Sequence, residues 1–256
     1  MKNFDINMNS YVINCDIHKK RMDKFKKNSR KEGLNYKRFS CIKGNTFTDD
    51  VICKMIDNNL IAKTADMNPI EVAINLSHLS VWEMSLKNGD DYALVLEDDI
   101  KLMPNFIKKV NIILNSLIAE NIDFSILYLY NGNWGRTKSK LKNVTYIPEL
   151  DLHIKQETKP YNAGGAAYII SREFMNYMKS IYFPIKHPQD VLIGEKYKKG
   201  QQLTIDTQYL EHGSCAIPNI VGHDCGGEQG TGSTTQNRHL DDIKDKKCKL
   251  PINKNN

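Results

Sequence analysis

Tyr92-Ala-Leu-Val-Leu-Glu-Asp-Asp-Ile100 is the stretch that decides the fold of this chain. Its first five residues are apolar without alternation, a pattern typical of a strand that is covered on both faces. The run then stops in three acids, Glu97, Asp98 and Asp99, and Pro104 can open the helix that follows. Open α/β sheets bind ligands beyond the carboxyl ends of such strands. A solvated acidic turn is the alternative, and the acids alone do not decide between the two.

The three acids also predict a cation. Adjacent carboxylates repel one another, and taking them out of water is costly. A hard divalent cation relieves both penalties, and carboxylate oxygens suit Mg²⁺ or Mn²⁺.

The bulk composition predicts one globular α/β domain. The 256 residues suffice for one large domain over residues 1–235, followed by a polar tail over 236–256. A net charge of +6 is mild, and no nucleic-acid-binding motif is present, so we expect no nucleic-acid partner. The six cysteines form no C-x-x-C pair and are interpreted as scattered thiols. With no signal peptide and no apolar run of membrane-spanning length, we expect a soluble, cytoplasmic protein.

Strand and helix patterns alternate from the start of the chain, as in a nucleotide-binding α/β half. A first strand is predicted over 10–15 and a basic helix over 16–32. Asn14, Asp16 and Arg21 would lie at or just past the end of that strand, where they could hold a nucleotide base or ribose. A plain surface loop explains them equally well.

The clearest predicted helix covers residues 69–88, with Pro69 at its start and Gly89 as its stop. Polar Asn75, Ser77 and His78 interrupt its apolar positions, although the helix must pack against the sheet. From spacing alone, a satisfied core histidine is a better interpretation of His78 than a ligand.

Glycines mark two later positions where backbone could approach a ligand. Gly164 and Gly165 open a predicted strand over 162–170, and a Gly-rich turn carries His223. Asp190 stands before a short predicted helix, where it could be a helix cap or a functional carboxylate. From residue 228 onward the chain is polar, and we expect a loop or tail that orders on a ligand.

Several of these pieces resemble glycosyltransferase family 25, which holds lipooligosaccharide galactosyltransferases and collagen-hydroxylysine glycosyltransferases. The matching pieces follow the family's order from about residue 10 to 225. They are Tyr11-Val-Ile-Asn14 with Arg21, residues 39–44, Glu71-Val-Ala-Ile-Asn-Leu-Ser-His78, Leu94-Val-Leu-Glu-Asp-Asp99, Gly165-Ala-Ala-Tyr-Ile-Ile-Ser171 and Asp190 with Leu192. The helix motif and the acid triplet, in this order, carry the specificity of the resemblance.

The resemblance implies a GT-A fold, meaning one mixed-sheet α/β domain that binds a nucleotide-diphosphosugar. It also implies UDP-glucose or UDP-galactose as donor and Mn²⁺ or Mg²⁺ as cofactor. Asp99 is then the expected metal ligand, with Glu97 and His223 as further ligands. The donor pocket would be formed or supported by Val12, Asn14, Arg21, Ser77, His78, Asp98, Gly164 and Gly165.

For catalysis the resemblance favours Asp190 and Glu97. Asp190 would take the proton of the attacking hydroxyl or position the acceptor sugar, and the base role presumes an inverting reaction. The expected acceptor is hydroxylysine or galactosyl-hydroxylysine of a collagen-like protein, with lipooligosaccharide as the alternative. A minimal member without leader or retention tail fits a large DNA virus or a bacterium. Homodimerisation is left open.

Two other classes compete with the enzyme. A binding module would keep the fold without turnover, although the intact acids argue against it. A nucleotidyltransferase would need a basic, Gly-rich triphosphate signature near the N-terminus, and the sequence has none.

Overall fold

The computed structural model describes residues 6–129, 142–156, 165–196, 202–205 and 221–223. The helices are Lys19–Lys31 (α1), Asp49–Asp57 (α2), Pro69–Asn88 (α3), Phe106–Ala119 (α4), Arg172–Ile181 (α5) and Gln189–Lys196 (α6). The strands are Met8–Asn14 (β1), Lys37–Ser40 (β2), Tyr92–Glu97 (β3), Ile100–Leu102 (β4), Ile126–Tyr128 (β5), Lys142–Ile147 (β6), Leu152–Gln156 (β7), Ala167–Ser171 (β8), Gln202–Ile205 (β9) and Val221–His223 (β10).

Eight of the ten described strands form one large mixed sheet in the order β2-β1-β3-β8-β5-β9-β7-β6. β1 runs parallel to both β2 and β3, whereas β8 runs antiparallel to β3. The carboxyl ends of β1 and β3 therefore meet the amino end of β8 at one edge. The prediction of a single mixed-sheet α/β domain, as in the GT-A fold, is confirmed by this arrangement.

Both faces of β3 are buried, as its unbroken apolar run predicts. Ala93 and Val95 pack in one hydrophobic cluster together with Val72 and Trp82 of α3. Leu94 and Leu96, on the opposite face, belong to a second cluster that includes the apolar side chains of α1 and α4. The buried run ends at Leu96, so the acids stand at the end of β3.

α3 has the bounds that its end signals predict. Asn68 accepts hydrogen bonds from the backbone N–H groups of Ile70 and Glu71, and the Glu71 carboxylate accepts one from the Asn68 backbone. This capping box satisfies donors that a helix start leaves unpaired. Gly89 ends the helix with a φ of 78°, a conformation that favours glycine.

The small two-stranded sheet of β4 and β10 was not predicted. β4 lies between the acids and α4, so α4 begins two residues after Pro104 instead of at it. In the pairing of these two strands, the backbone of His223 lies opposite Ile100, the residue that follows Asp99 in the sequence. A three-residue strand carries too little pattern to be recognised without its distant partner.

The interpretation of all cysteines as thiols is wrong, because Cys15 and Cys41 form a disulfide. β1 and β2 are parallel neighbours with Asn14 opposite Ser40, so the residues that follow each strand also come together. Their Cα atoms lie 4.7 Å apart although 26 positions separate them in sequence. Disulfides are rare in the reducing cytosol, so this cross-link does not support the predicted cytoplasmic location.

None of the described helices is long and apolar enough to span a membrane. The proposed tail over residues 236–256 lies outside the described residues, so the domain boundary stays a prediction.

Candidate functional site

The site lies at the sheet edge where β1 and β3 end. Asn14 is the last residue of β1, and its side-chain amide donates a hydrogen bond to the carboxylate of Asp98, just past the end of β3. Both residues are almost fully buried. This contact links the ends of β1 and β3.

Arg21 joins the two aspartates that follow β3. Its guanidinium forms an ion pair with Asp98 and another with Asp99, whose Oδ2 lies 2.8 Å from Nη2. Burial raises the pKa of Asp98 above its ordinary value, with the charges of Asp99 and Glu97 acting in the same direction. The hydrogen bond from Asn14 and the charge of Arg21 oppose that rise without cancelling it. Asp98 is therefore a carboxylate held in place at an energetic cost.

Arg38 is a residue of this edge that sequence reasoning missed. Its Nε and Nη2 donate to Oδ1 of Asn14 at 2.9 and 2.7 Å, and Nη2 also contacts Asp16 at 2.5 Å. Because arginine only donates and a carboxylate only accepts, the Asn14 amide must turn its oxygen to Arg38 and its nitrogen to Asp98. The strand register, which pairs Val12 with Arg38, is the signal that would have revealed this contact.

The three acids differ in accessibility. The side chains of Glu97 and Asp99 are 32% and 26% exposed, whereas that of Asp98 is 4% exposed. The described residues contain no group of three His, Cys, Asp or Glu arranged to hold a metal ion. Two accessible carboxylates still fit Mg²⁺ or Mn²⁺, which proteins commonly hold through one or two carboxylates together with substrate phosphates.

His78 lies behind Glu97. Its Nε2 is 3.6 Å from the Oε1 atom of Glu97, and its Nδ1 is 2.8 Å from the hydroxyl of Tyr168. The imidazole is almost fully buried, so it meets the site through Glu97. The role of His78 in the donor pocket stays a prediction. Trp82, four residues later on the same face of α3, donates to the same tyrosine hydroxyl at 2.9 Å.

The other polar residues of α3 fasten neighbouring segments. Ser77 donates to the Ala73 carbonyl at 2.7 Å and accepts from the Ile42 backbone N–H at 2.9 Å, which ties the turn after β2 to the helix. Asn75 donates to the carbonyl of His187 at 3.3 Å and accepts from the Tyr182 hydroxyl at 2.9 Å. α3 therefore holds the segment that leads into α6.

Gly165 lies where the amino end of β8 meets α6. A Cβ at this position would stand 2.4 Å from Oε1 of Gln189, so any larger residue would displace that side chain. Gln189 is 3% exposed, and its Nε2 has no hydrogen-bond partner among the described residues. Asp190 follows it in the first turn of α6. The carbonyl of Ala166, next to Gly165, accepts a hydrogen bond from the Glu97 backbone N–H at 2.8 Å.

The remaining predicted residues fall into two groups. Val12 is fully buried in the core, so the structure gives it a packing position instead of a surface for contact with a nucleotide. Gly164 lies outside the described residues, and only the backbone positions of Asp190 and His223 are described. Their site roles stay predictions.

Comparison with known proteins identifies the class. A family model for "Glycosyltransferase family 25 (LPS biosynthesis protein)" matches residues 7–193. A "Glycosyltransferase 25 family member" from Aedes aegypti is 30% identical over 106 residues, which make up 39% of this chain and 17% of that protein. The chain thus spans about a sixth of that relative's length.

Two solved structures are similar at low identity. The crystal structure of A197 from STIV has a TM-score of 0.45 at 12% identity and covers 85% of this chain and 94% of that chain. A glycosyltransferase involved in the glycosylation of the major capsid of PBCV-1 has a TM-score of 0.42 at 12% identity, over 86% of this chain and 94% of that one.

The family match covers most of the chain, including β1, α3, the three acids and the start of α6. The protein is a member of glycosyltransferase family 25.

Proposed function

We propose that this glycosyltransferase moves glucose or galactose from a UDP-sugar to a hydroxyl acceptor, with a divalent cation bound at the acids after β3. The observation that carries the proposal is the convergence of Asn14, Arg21, Asp98 and Asp99 at one sheet edge in a chain of this family. Asp99 and Glu97 are the accessible carboxylates for the cation. His223 is a third candidate ligand, since β10 brings its backbone beside Ile100.

The reaction joins the acceptor oxygen to the anomeric carbon while the bond from that carbon to the UDP oxygen breaks. The cation, when bound, stabilises the negative charge that develops on the leaving diphosphate. In an inverting reaction Asp190 takes the proton of the attacking hydroxyl. Asn14 and Arg21 hold the buried Asp98 in place beside the accessible carboxylates.

The proposed acceptor is hydroxylysine or galactosyl-hydroxylysine in a collagen-like protein. Membership of the family supports a hydroxyl acceptor, and lipooligosaccharide is the alternative acceptor within the same family. A cytoplasmic location and a homodimer stay predictions.

The test is release of UDP from a panel of UDP-sugars, in Mn²⁺ or in chelator, with each acceptor and without any. Metal-dependent release that an acceptor increases, and that Asp99→Ala abolishes, is the expected result. Arg30→Gln, an exposed change on α1, is the control for surface substitution. Binding of UDP without transfer to any acceptor would instead indicate a binding module.

A further inference from the structure

Three side chains form an unbroken buried line behind Glu97. Nε1 of Trp82 lies 2.9 Å from the hydroxyl oxygen of Tyr168, and that hydroxyl lies 2.8 Å from Nδ1 of His78. Nε2 on the other side of the imidazole is 3.6 Å from Oε1 of Glu97. Trp82, Tyr168 and His78 are almost fully buried, and Glu97 alone reaches the accessible surface.

The directions of the two hydrogen bonds at the Tyr168 hydroxyl follow from which groups can donate and which can accept. The indole N–H of Trp82 can only donate, so the oxygen of Tyr168 must accept. Burial raises the pKa of Tyr168 well above its ordinary value, so the hydroxyl keeps its proton at any working pH. That proton has Nδ1 of His78 as its close acceptor. Tyr168 therefore donates to His78.

The tautomer of His78 follows in turn. A neutral imidazole whose Nδ1 accepts a hydrogen bond carries its proton on Nε2. The Nε2–H group then faces the carboxylate of Glu97. The opposite tautomer would leave the buried Tyr168 proton without its acceptor, and it would turn a nitrogen lone pair toward carboxylate oxygen. Both consequences are unfavourable in a buried setting.

We propose that Tyr168, held by Trp82, is a positioning residue that fixes His78 as the Nε2–H tautomer, so that His78 orients the carboxylate of Glu97 toward the bound cation and donor. The inference rests on the proposed function for the role of Glu97, whereas the tautomer is a property of the protein alone. Trp82 lies on α3 and Tyr168 on β8, and both side chains belong to the same hydrophobic cluster. Packing in that cluster holds the two side chains in place.

The proposed cation site therefore depends on Tyr168, a residue that does not contact the substrate. Partners that orient the ligands of a metal site typically contribute about 10- to 100-fold to metal affinity or activity. Glu97 is the last residue of the buried strand β3 and its backbone N–H donates to the Ala166 carbonyl, so its main chain is fixed. Its side chain, one-third exposed, is the part that still needs an orienting contact.

The first measurement is the tautomer of His78 by ¹⁵N NMR on ligand-free protein, with the signal assigned from its loss in His78→Gln. The wild type should show a protonated Nε2 and an unprotonated Nδ1. Tyr168→Phe should populate the Nδ1–H form. The matched control is Tyr11→Phe, which removes an equally buried hydroxyl bonded to Asp90, a residue before β3 at the opposite edge of the sheet. This control should leave the His78 tautomer unchanged.

The second measurement is Mn²⁺-dependent turnover of the donor. Tyr168→Phe should weaken the apparent Mn²⁺ affinity or lower kcat about 10- to 100-fold, and Tyr11→Phe should do neither. His78→Gln places an amide N–H where Nε2–H stood, so it should keep more activity than His78→Asn, whose amide can replace only Nδ1.

The two proposals fail separately. An Nδ1–H tautomer in the wild type, or an unchanged tautomer in Tyr168→Phe, overturns the positioning role. Equal losses of activity in Tyr168→Phe and Tyr11→Phe also overturn it, because they would reflect stability alone. A wild type that shows the expected tautomer but neither binds nor turns over a UDP-sugar overturns the proposed function and leaves the hydrogen-bond assignment standing.

Discussion

Asn14, at the end of β1, donates its side-chain amide to the buried carboxylate of Asp98, just past the end of β3. The contact spans 84 positions of sequence and joins the first strand to the acids that define the site. This hydrogen bond offsets only part of the free-energy cost of burying the Asp98 carboxylate, because the pKa of Asp98 remains above its ordinary value. The site therefore holds a charge that weakens the fold.

The first prediction concerns Asp98→Asn. An aspartate whose pKa is raised by folding binds more protons in the folded state than in the unfolded one. Its contribution to stability is present below the unfolded pKa of about 3.9 and is lost as pH rises through the folded pKa. Asparagine does not titrate, so the Asp98→Asn variant does not lose this stability as pH rises. The free energy of unfolding of Asp98→Asn relative to the wild type should therefore increase from pH 4 upward and then level off, while transfer is lost.

Urea denaturation across this pH range measures the difference. Asp57→Asn, at an exposed position in α2, corrects for the change in net charge. A difference that does not vary with pH, or that falls as pH rises, contradicts the prediction.

The second prediction concerns Arg21→Gln. The guanidinium neutralises Asp98 and Asp99 together, so its removal should lower the free energy of unfolding by about 1–3 kcal/mol. It should also make the carboxylates more available to a cation. Mn²⁺ should then raise the Tm of the variant by more than it raises that of the wild type. Thermal unfolding with and without Mn²⁺ checks both statements, and Arg30→Gln on the same helix is the matched control.

A Tm that Mn²⁺ leaves unchanged in both proteins would speak against a cation site at these acids. An equal rise in both would show that Arg21 does not compete with the cation.

The third prediction concerns the disulfide between Cys15 and Cys41. Cross-links of this kind typically stabilise a fold by roughly 2–4 kcal/mol. The double variant Cys15→Ser/Cys41→Ser should be less stable than the oxidised wild type by an amount in that range. Reductant should destabilise the wild type more than the variant, as urea denaturation with and without reductant can measure. Equal effects of reductant on both proteins would contradict this cross-link.

The sequence was most informative where the signals are local. The bounds of α3 follow from Asn68, Pro69 and Gly89, which all act within one turn of the helix ends. The burial of β3 follows from its own apolar run, and the placement of the acids follows from that burial. Local chemistry therefore sufficed for the central elements and for the position of the carboxylates.

The missed features all depend on partners that are distant in sequence. Spacing on α3 indicated that His78 is a satisfied core histidine, but it could not identify its partner Tyr168, which lies 90 positions away. To recognise the disulfide from the sequence, one would need the register of β1 against β2. To recognise β4, one would need its distant partner strand β10. Apolar Ile74 is 43% exposed, because the polar side chains of Asn75 and His78 take part of the inward face of α3.

The last prediction concerns Gly165 and Gln189. In Gly165→Ala the new methyl group would stand 2.4 Å from Oε1 and 3.1 Å from Cδ of Gln189, and the buried glutamine has little room to withdraw. Overpacking of this kind typically costs about 1–3 kcal/mol. Gln189→Ala removes the obstructing atoms, so the double variant should regain most of the stability that Gly165→Ala loses. Gly33→Ala is strained by a φ of 66°, and no described atom lies within 4 Å of the added Cβ, so it should gain nothing from Gln189→Ala.

The same set of variants separates packing from function. Gln189 precedes Asp190 in the first turn of α6, so Gly165→Ala should shift the proposed acceptor carboxylate and lower kcat. If Gln189 serves only as packing, the double variant should recover activity together with stability. If its amide, which has no hydrogen-bond partner among the described residues, binds substrate, stability should return while activity stays low. Urea denaturation and steady-state kinetics on the wild type, Gly165→Ala, Gln189→Ala and the double variant distinguish these outcomes. A Gly165→Ala variant as stable and active as the wild type would contradict the close approach of Gly165 to Gln189.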